Sequence, residues 1–252
     1  FFSHYTDGSR EVSFERDEFV RAAQDLGIAL PKNVGDLIYS FRYRTALPQS
    51  ISDRAPAGEA WIIRSVGRGS YTFATTANPT ITPNLMAVET KIPDATPGVI
   101  SMYALSDEQA LLARLRYNRL IDIFTGVTCY SLQNHLRTSV PNMGQVETDE
   151  VYIGIDKRGV HYVFPIQAKG GSDRLSIVQI EQDVAICAAK FPALLCRPVA
   201  AQFIGSDLIA LFSFQEQNGT LEMTIERHYR LVPPEALMSA DLQDYSSRSM
   251  DE

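Results

Sequence analysis

The stretch from Gln145 to Gly171, QVETDEVYIGIDKRGVHYVFPIQAKGG, decides how the rest of the chain is read. Val151 to Asp156 carries β-branched and aromatic residues that favour a strand. Lys157-Arg158-Gly159 is a short glycine-containing turn, and Val160 to Ala168 is a second apolar run bounded by Gly170 and Gly171. The pattern predicts a β-hairpin. Glu147, Asp149 and Glu150 lie at its opening, and Gln167 and Lys169 lie at the end of its last strand.

Side chains alternate across a strand, so Gln167 and Lys169 project from one face, and Glu147 and Asp149 share a face of their own segment. Glu150 points the other way unless a bulge intervenes. Folding the hairpin brings an acid, an amide oxygen and an ammonium to one place. A carboxylate and a carbonyl-type oxygen are hard ligands suited to Mg²⁺. The metal acidifies water and stabilises charge on a phosphate, while a lysine orients or deprotonates the attacking water or balances charge. Singly, each of these residues is most simply a polar strand end. Together, three acids before an apolar hairpin that ends in Gln-x-Lys, with an amphipathic helix behind it, point to metal-dependent phosphodiester hydrolysis.

Asp149, then Gln167-Ala168-Lys169 eighteen positions on, resembles the PD-(D/E)XK nuclease superfamily, in which an acid on one strand is followed by acid-x-Lys on the next. The resemblance covers about 145 to 202 and departs from the pattern at Gln167, where most members carry Asp or Glu. It implies a restriction-endonuclease-like α/β fold, a mixed central sheet flanked by helices. It also implies a Mg²⁺ cofactor held by Asp149, Gln167 and the carbonyl of Ala168, with Lys169 acting on the attacking water and Glu147 as the best additional acid. In the helix that follows, at about 173 to 190, Gln179 is the residue most suited to lend polarity to such a site, beside Gln182 and Asp183 on a polar edge.

The chain has 252 residues, 45% hydrophobic and 21% charged, which is ample for a core. Its net charge of −7 argues against indiscriminate coating of nucleic acid and leaves room for a local basic face. Cys129, Cys187 and Cys196 have no metal-type spacing and read as small apolar residues. No signal peptide or membrane-spanning run is visible, so a cytoplasmic location and no membrane partner are expected.

Toward the N-terminus, residues 14 to 26 have helical spacing with Gly27 as a C-cap. A second helix is expected over about 32 to 43, and a hairpin over 60 to 75 with the turn Gly67-Arg68-Gly69. Helix, helix and basic-tipped hairpin resemble a winged-helix module. From Lys32 to Tyr71 six cationic residues face three acids, a local charge of +3. Arg42, Arg44, Arg64 and Arg68 are therefore the candidate DNA contacts. Residues 77 to 101, rich in Pro and Thr, read as a linker with one strand near 88 to 92, and Glu89-Thr90-Lys91 within it is a decoy for the acid-x-Lys pattern.

Beyond the linker one helix is expected from a Ser106 cap to Phe124, and another over about 128 to 138. Helix 173 to 190 is expected to start from a Ser172 cap. Three strands are expected between 197 and 232, two of them joined by Asn218-Gly219. The division is a winged-helix-like module over 1–78, a nuclease domain over 84–235 and a flexible acidic tail over 238–252. The expected function is a site-specific type II restriction endonuclease acting on double-stranded DNA, with a homodimer favoured by double-strand cutting. The competing expectations are a sequence-specific DNA-binding protein with an inactive nuclease fold, a repair or recombination nuclease, and a protein-interaction domain.

Overall fold

The computed structural model describes residues 1–105, 108–170, 173–217 and 220–248. In chain order the elements are β1 (Glu11–Glu15), α1 (Arg16–Leu26), α2 (Val34–Tyr43), α3 (Gln49–Ser52), β2 (Ala60–Gly67), β3 (Ser70–Thr76), β4 (Thr80–Ile81) and β5 (Glu89–Pro93). Then come α4 (Gly98–Tyr103), α5 (Glu108–Tyr117), α6 (Leu120–Thr125), β6 (Thr128–Val140), β7 (Gly144–Ile155), β8 (His161–Lys169), β9 (Leu175–Ser176) and α7 (Ile177–Lys190). The chain finishes with β10 (Leu195–Cys196), β11 (Val199–Ile204), β12 (Leu208–Gln217), β13 (Thr220–Val232), a 3₁₀ turn at Pro234–Ala236 and α8 (Ser239–Ser247). The fold is mixed α/β. The Ser106 and Ser172 caps and the Asn218-Gly219 turn expected from the sequence lie outside the described residues.

The chain divides into two compact units: Phe1–Thr82 with His135–Thr148 and Asp173–Ala193, and Pro83–Asn134 with Asp149–Ser172 and Leu194–Glu252. The first contains a three-stranded antiparallel sheet in the order β1-β3-β2. The alternation in EVSFE buries Val12 and Phe14 and leaves Glu11, Ser13 and Glu15 outside. The helix expected from residue 14 therefore begins only at Arg16, because strand pairing with β3 takes the two residues before it. Its end is as expected: Gly27 takes a left-handed conformation with φ 63°. Val12, Phe14, Ile38, Trp61, Ile63 and Phe73 form the local core. The hairpin turn narrows to Arg68-Gly69, where Gly69 adopts φ 82°. In the same unit α7 starts from Ser176, whose side chain accepts the Val178 N–H. Gln182 and Asp183 are buried rather than lining an exposed polar edge, and Gln182 Nε2 donates to the Tyr43 hydroxyl at 3.0 Å.

The sheet of the second unit has the order β5-β13-β12-β11-β8-β7-β6, with β10 beside β8. It is mixed: β8 pairs parallel to β11 and antiparallel to β7, and β13 pairs parallel to β5 and antiparallel to β12. Leu111, Leu112 and Leu115 of α5 and Leu120 and Ile121 of α6 pack on Phe164, Ile166, Ala201 and Leu211. Gly154 of β7 is required by this packing. A Cβ there would meet Phe164 at 2.6 Å and Val127 at 2.7 Å.

Three expectations are corrected here. Residues 128 to 138 form strand β6, not a helix. The spacing of Leu132, His135 and Leu136 mimics a helical stripe, but Thr128, Tyr130, Thr138 and Val140 favour strand, and pairing with β7 decides the conformation. The helix expected to run to Phe124 breaks into α5 and α6. Asn118, buried at the break, accepts the Ala95 N–H at 2.7 Å and donates to Thr96 Oγ1 at 3.0 Å, while Arg119 turns left-handed at φ 50°. The tail is not frayed as far as it is described: Ser239–Ser247 is helical, and Tyr245 Oη accepts the Lys91 N–H at 2.8 Å. The decoy is structural. Glu89 pairs with Arg230, and Lys91 with Asp241. No helix among the described residues is long and apolar enough to cross a membrane.

Candidate active site

The β7–β8 ladder runs from Ile155↔His161 to Glu150↔Ile166. At the next position a side chain takes over from the backbone: Asp149 Oδ2 accepts the Ala168 N–H at 2.8 Å. The carboxylate is therefore anchored to the residue lying between Gln167 and Lys169. On its other side the end of β8 is held by β11 through Gln167↔Ala200, Ala168↔Ala201 and Lys169↔Gln202. Ile166 and Ala168 belong to the apolar core, and Gln167 and Lys169 alternate onto the other face. Asp149 is 8% exposed and Gln167 1%, so both polar groups are withdrawn from bulk water.

Lys169 Nζ donates to Glu108 Oε1 at the first residue of α5. Sequence reading missed Glu108. An acid in the first turn of a helix complements the helix dipole and is commonplace, and nothing in the spacing links it to a strand end sixty-one residues on. The sequence-level question of which neighbour joins Asp149 receives a partial answer. Glu150 faces the α5 side and is fully buried, with Arg116 Nη2 at 3.0 Å and Nε at 3.2 Å on its Oε1 and a further bond from the Ser131 hydroxyl. Its Oε2 is buried without a partner. This carboxylate ties α5 to the sheet.

Glu147 belongs to the first unit, on β7, where Arg137 Nη2 lies at 2.6 Å and His135 Nδ1 at 3.0 Å. Burial pushes its carboxyl up, but Arg137 and His135 outweigh burial and hold it below the ordinary carboxylate value. Gln179 is half-buried on α7 in that same unit. Within the second unit the structure brings together Asp149, Gln167, Ala168, Lys169 and Glu108, while Glu150 faces Arg116; Glu147 and Gln179 belong to the first unit.

The four candidate arginines fall into two kinds. Arg64 makes a bidentate pair with Glu181 at 2.8 and 2.5 Å, and Arg42 donates to the Ile63 carbonyl at 3.1 Å while lying over the Tyr43 ring. Arg44, over the Tyr39 ring, and Arg68, at the hairpin tip, are exposed.

Asp149, the Gln167 amide and the Ala168 carbonyl are hard oxygen donors, and such a set fits Mg²⁺. Among the described residues no group of three or more His, Cys, Asp or Glu side chains is placed to hold a metal ion. Cys129, Cys187 and Cys196 form no disulfide among the described residues, and burial pushes the Cys129 thiol up to about 11. No protein-family model matches the chain, and no curated protein and no solved structure is significantly similar to it.

Proposed function

We propose that the protein is a Mg²⁺-dependent endodeoxyribonuclease, a site-specific type II restriction endonuclease acting on double-stranded DNA. The observation that carries this reading is the bond from the Ala168 N–H to Asp149, which holds a carboxylate against the middle of Gln167-Ala168-Lys169 at a strand end. Asp149, Gln167 and the Ala168 carbonyl would hold Mg²⁺, which when bound supplies Lewis-acid activation of water and neutralisation of phosphate charge. Lys169 orients the attacking water and sets a positive charge beside the phosphoryl oxygens. Glu108 is a positioning residue, fixing the ammonium through the observed ion pair. Burial of Asp149 and Gln167 strengthens each of these electrostatic contacts relative to water.

The β1-β3-β2 sheet with α1 and α2 supports a winged-helix-like recognition module in the first unit. There the exposed Arg44 and Arg68 are suited to phosphates, while Arg42 and Arg64 are committed within the fold. One observation favours a second reading, a DNA-binding protein with an inactive nuclease fold: Gln167 is neutral where a second acid would strengthen metal binding. Asp149→Ala separates the two. It abolishes Mg²⁺-dependent plasmid cleavage and leaves gel-shift affinity in EDTA largely intact. Undiminished cleavage by this variant removes Asp149 from the site, and absence of cleavage by the unaltered protein favours the second reading.

A further inference from the structure

A protein interior is packed about as tightly as an organic crystal, and voids larger than a water molecule are few. The first unit departs from this. It holds a cavity of about 320 Å³, at the lower end of the range for small-molecule sites, walled by β1, β2, β3, α1, α2 and α3. Its lining residues all fall within Phe1–Thr82. Four of them form a continuous aromatic wall. Phe19 meets Phe14 at 5.8 Å between ring centroids, Phe14 meets Phe73 at 5.0 Å, and Phe73 meets Phe1 at 5.1 Å. Among the described residues the polar side chains that line the cavity are Ser3 and Glu18.

Glu18 gives this apolar space a charge. Its Oε1 accepts the Glu15 N–H at 2.8 Å at the start of α1, and its Oε2 lies 2.6 Å from His4 Nε2. The backbone bond first, and the His4 contact second, hold this carboxyl below its ordinary value, so it is anionic at neutral pH. The His4 side chain is 45% exposed. A solvent-exposed nitrogen base therefore already stands on the carboxylate oxygen that a ligand's own N–H group would take. The segment that carries Glu18, residues 11–26, has five acids against two arginines.

We propose that this cavity binds a small aromatic amine, one or two fused rings bearing an ammonium group on a short chain. The rings lie against the phenylalanine wall, which offers both faces and edges to an aromatic partner. The ammonium displaces His4 from Glu18 Oε2 and sits beside aromatic faces that attract a cation. A ligand carrying a carboxylate or a phosphate, a nucleotide included, is disfavoured by the acids of residues 11–26. The cavity and Asp149 lie in different units, and the proposal does not depend on the nuclease reading.

The test is isothermal titration calorimetry of the whole chain near neutral pH. The probes are tryptamine, its neutral isostere tryptophol and the anion indoleacetate. Tryptamine is expected to saturate one site, with the other two at least about tenfold weaker, as loss of a charge-assisted bond implies. Glu18→Gln keeps an oxygen for the Glu15 N–H and removes the charge. It is expected to weaken tryptamine about tenfold and to change tryptophol little. His4→Ala frees Glu18 Oε2 and is expected to tighten tryptamine. Ala22→Trp, at an exposed position of α1 that lines the cavity mouth, is expected to block all three probes. Circular dichroism establishes which variants are folded, and the comparison of probes on the unaltered chain needs none of them. Absence of tryptamine binding up to millimolar concentration, or equal affinity for the three probes, overturns the proposal. Unchanged tryptamine affinity in a folded Glu18→Gln or Ala22→Trp chain does the same.

Discussion

Gln167→Glu is the perturbation that interrogates the site most directly, because it changes charge with almost no change of shape. Gln167 is 1% exposed and stands beside the 8% exposed Asp149. In metal-free protein the substitution places two carboxylates in one site withdrawn from water. At the effective dielectric of a protein site, neighbouring unit charges repel by about 2–4 kcal/mol. Lys169 and uptake of a proton offset part of this, leaving a loss of about 2 kcal/mol. For a domain of this size the loss lowers Tm by about 4–8 °C. A hard divalent cation reverses the sign, since the added carboxylate is now a ligand. Ca²⁺ at about ten to a hundred times its Kd adds about 1.4–2.7 kcal/mol to the folded state. Differential scanning fluorimetry with and without about 10 mM Ca²⁺ is therefore expected to show a variant less stable than the parent in EDTA. It should recover most of the difference with metal, while the parent responds less. Equal melting temperatures in EDTA together with equal Ca²⁺ responses would refute the assignment of Gln167 as a ligand, and with it the end of β8 as the metal site.

Two further outcomes test the surroundings. Arg116→Met leaves the fully buried Glu150 without its cation, and because Arg116 is 38% exposed the loss is discounted for solvent screening below the range for fully buried pairs, to about 2–3 kcal/mol. Adding Glu150→Leu is expected to restore stability to the parent value in urea denaturation, and failure to do so removes the buried charge as the cause. Arg44→Ala and Arg68→Ala are each expected to reduce the slope of log K against log salt by about one in gel shifts. Arg64→Ala, whose partner is Glu181, is expected to leave the slope unchanged and lower stability instead.

What the sequence made legible follows from which interactions are local. The β7–β8 hairpin was readable because β-branched and aromatic runs flank a glycine turn, and strand alternation alone put Gln167 and Lys169 on one face. The same rule sets Glu150 apart from Asp149 in a regular strand, and Glu150 pairs with Ile166 and meets Arg116. Strand β6 was not readable. His135 sits within it at φ 48°, which disturbs the alternation, and the leucines on either side fall at helical spacing. The break at Asn118 depends on bonds to Ala95 and Thr96, more than twenty residues earlier, and no local propensity announces it. The tail looked unstructured because its polarity hides the three contacts to β5 that give α8 a surface to dock on. Glu108 is the clearest case, since its partner is defined only once the sheet is formed.

Glu108 also bears on how an amide can stand where an acid is expected. A set of Asp, acid and Lys carries two negative charges and one positive. In this chain Asp149 and Glu108 are negative, Lys169 is positive and Gln167 is neutral, so the formal total is the same while one negative charge has moved from β8 to the start of α5. The redistribution has a physical consequence on the proposed reading. A carboxylate at position 167 would sit among the metal's own ligands, whereas Glu108 engages the lysine and reaches the metal only through the field of the site. The ammonium is thereby held in place before any substrate arrives, so less side-chain entropy is lost when it meets a phosphate. On that reading the first-sphere attraction for Mg²⁺ would be correspondingly weaker. On the nuclease reading the arrangement would exchange metal affinity for a fixed positive charge, and such a site would gain most of its cation binding only when the phosphate of bound DNA supplied the missing anionic oxygen.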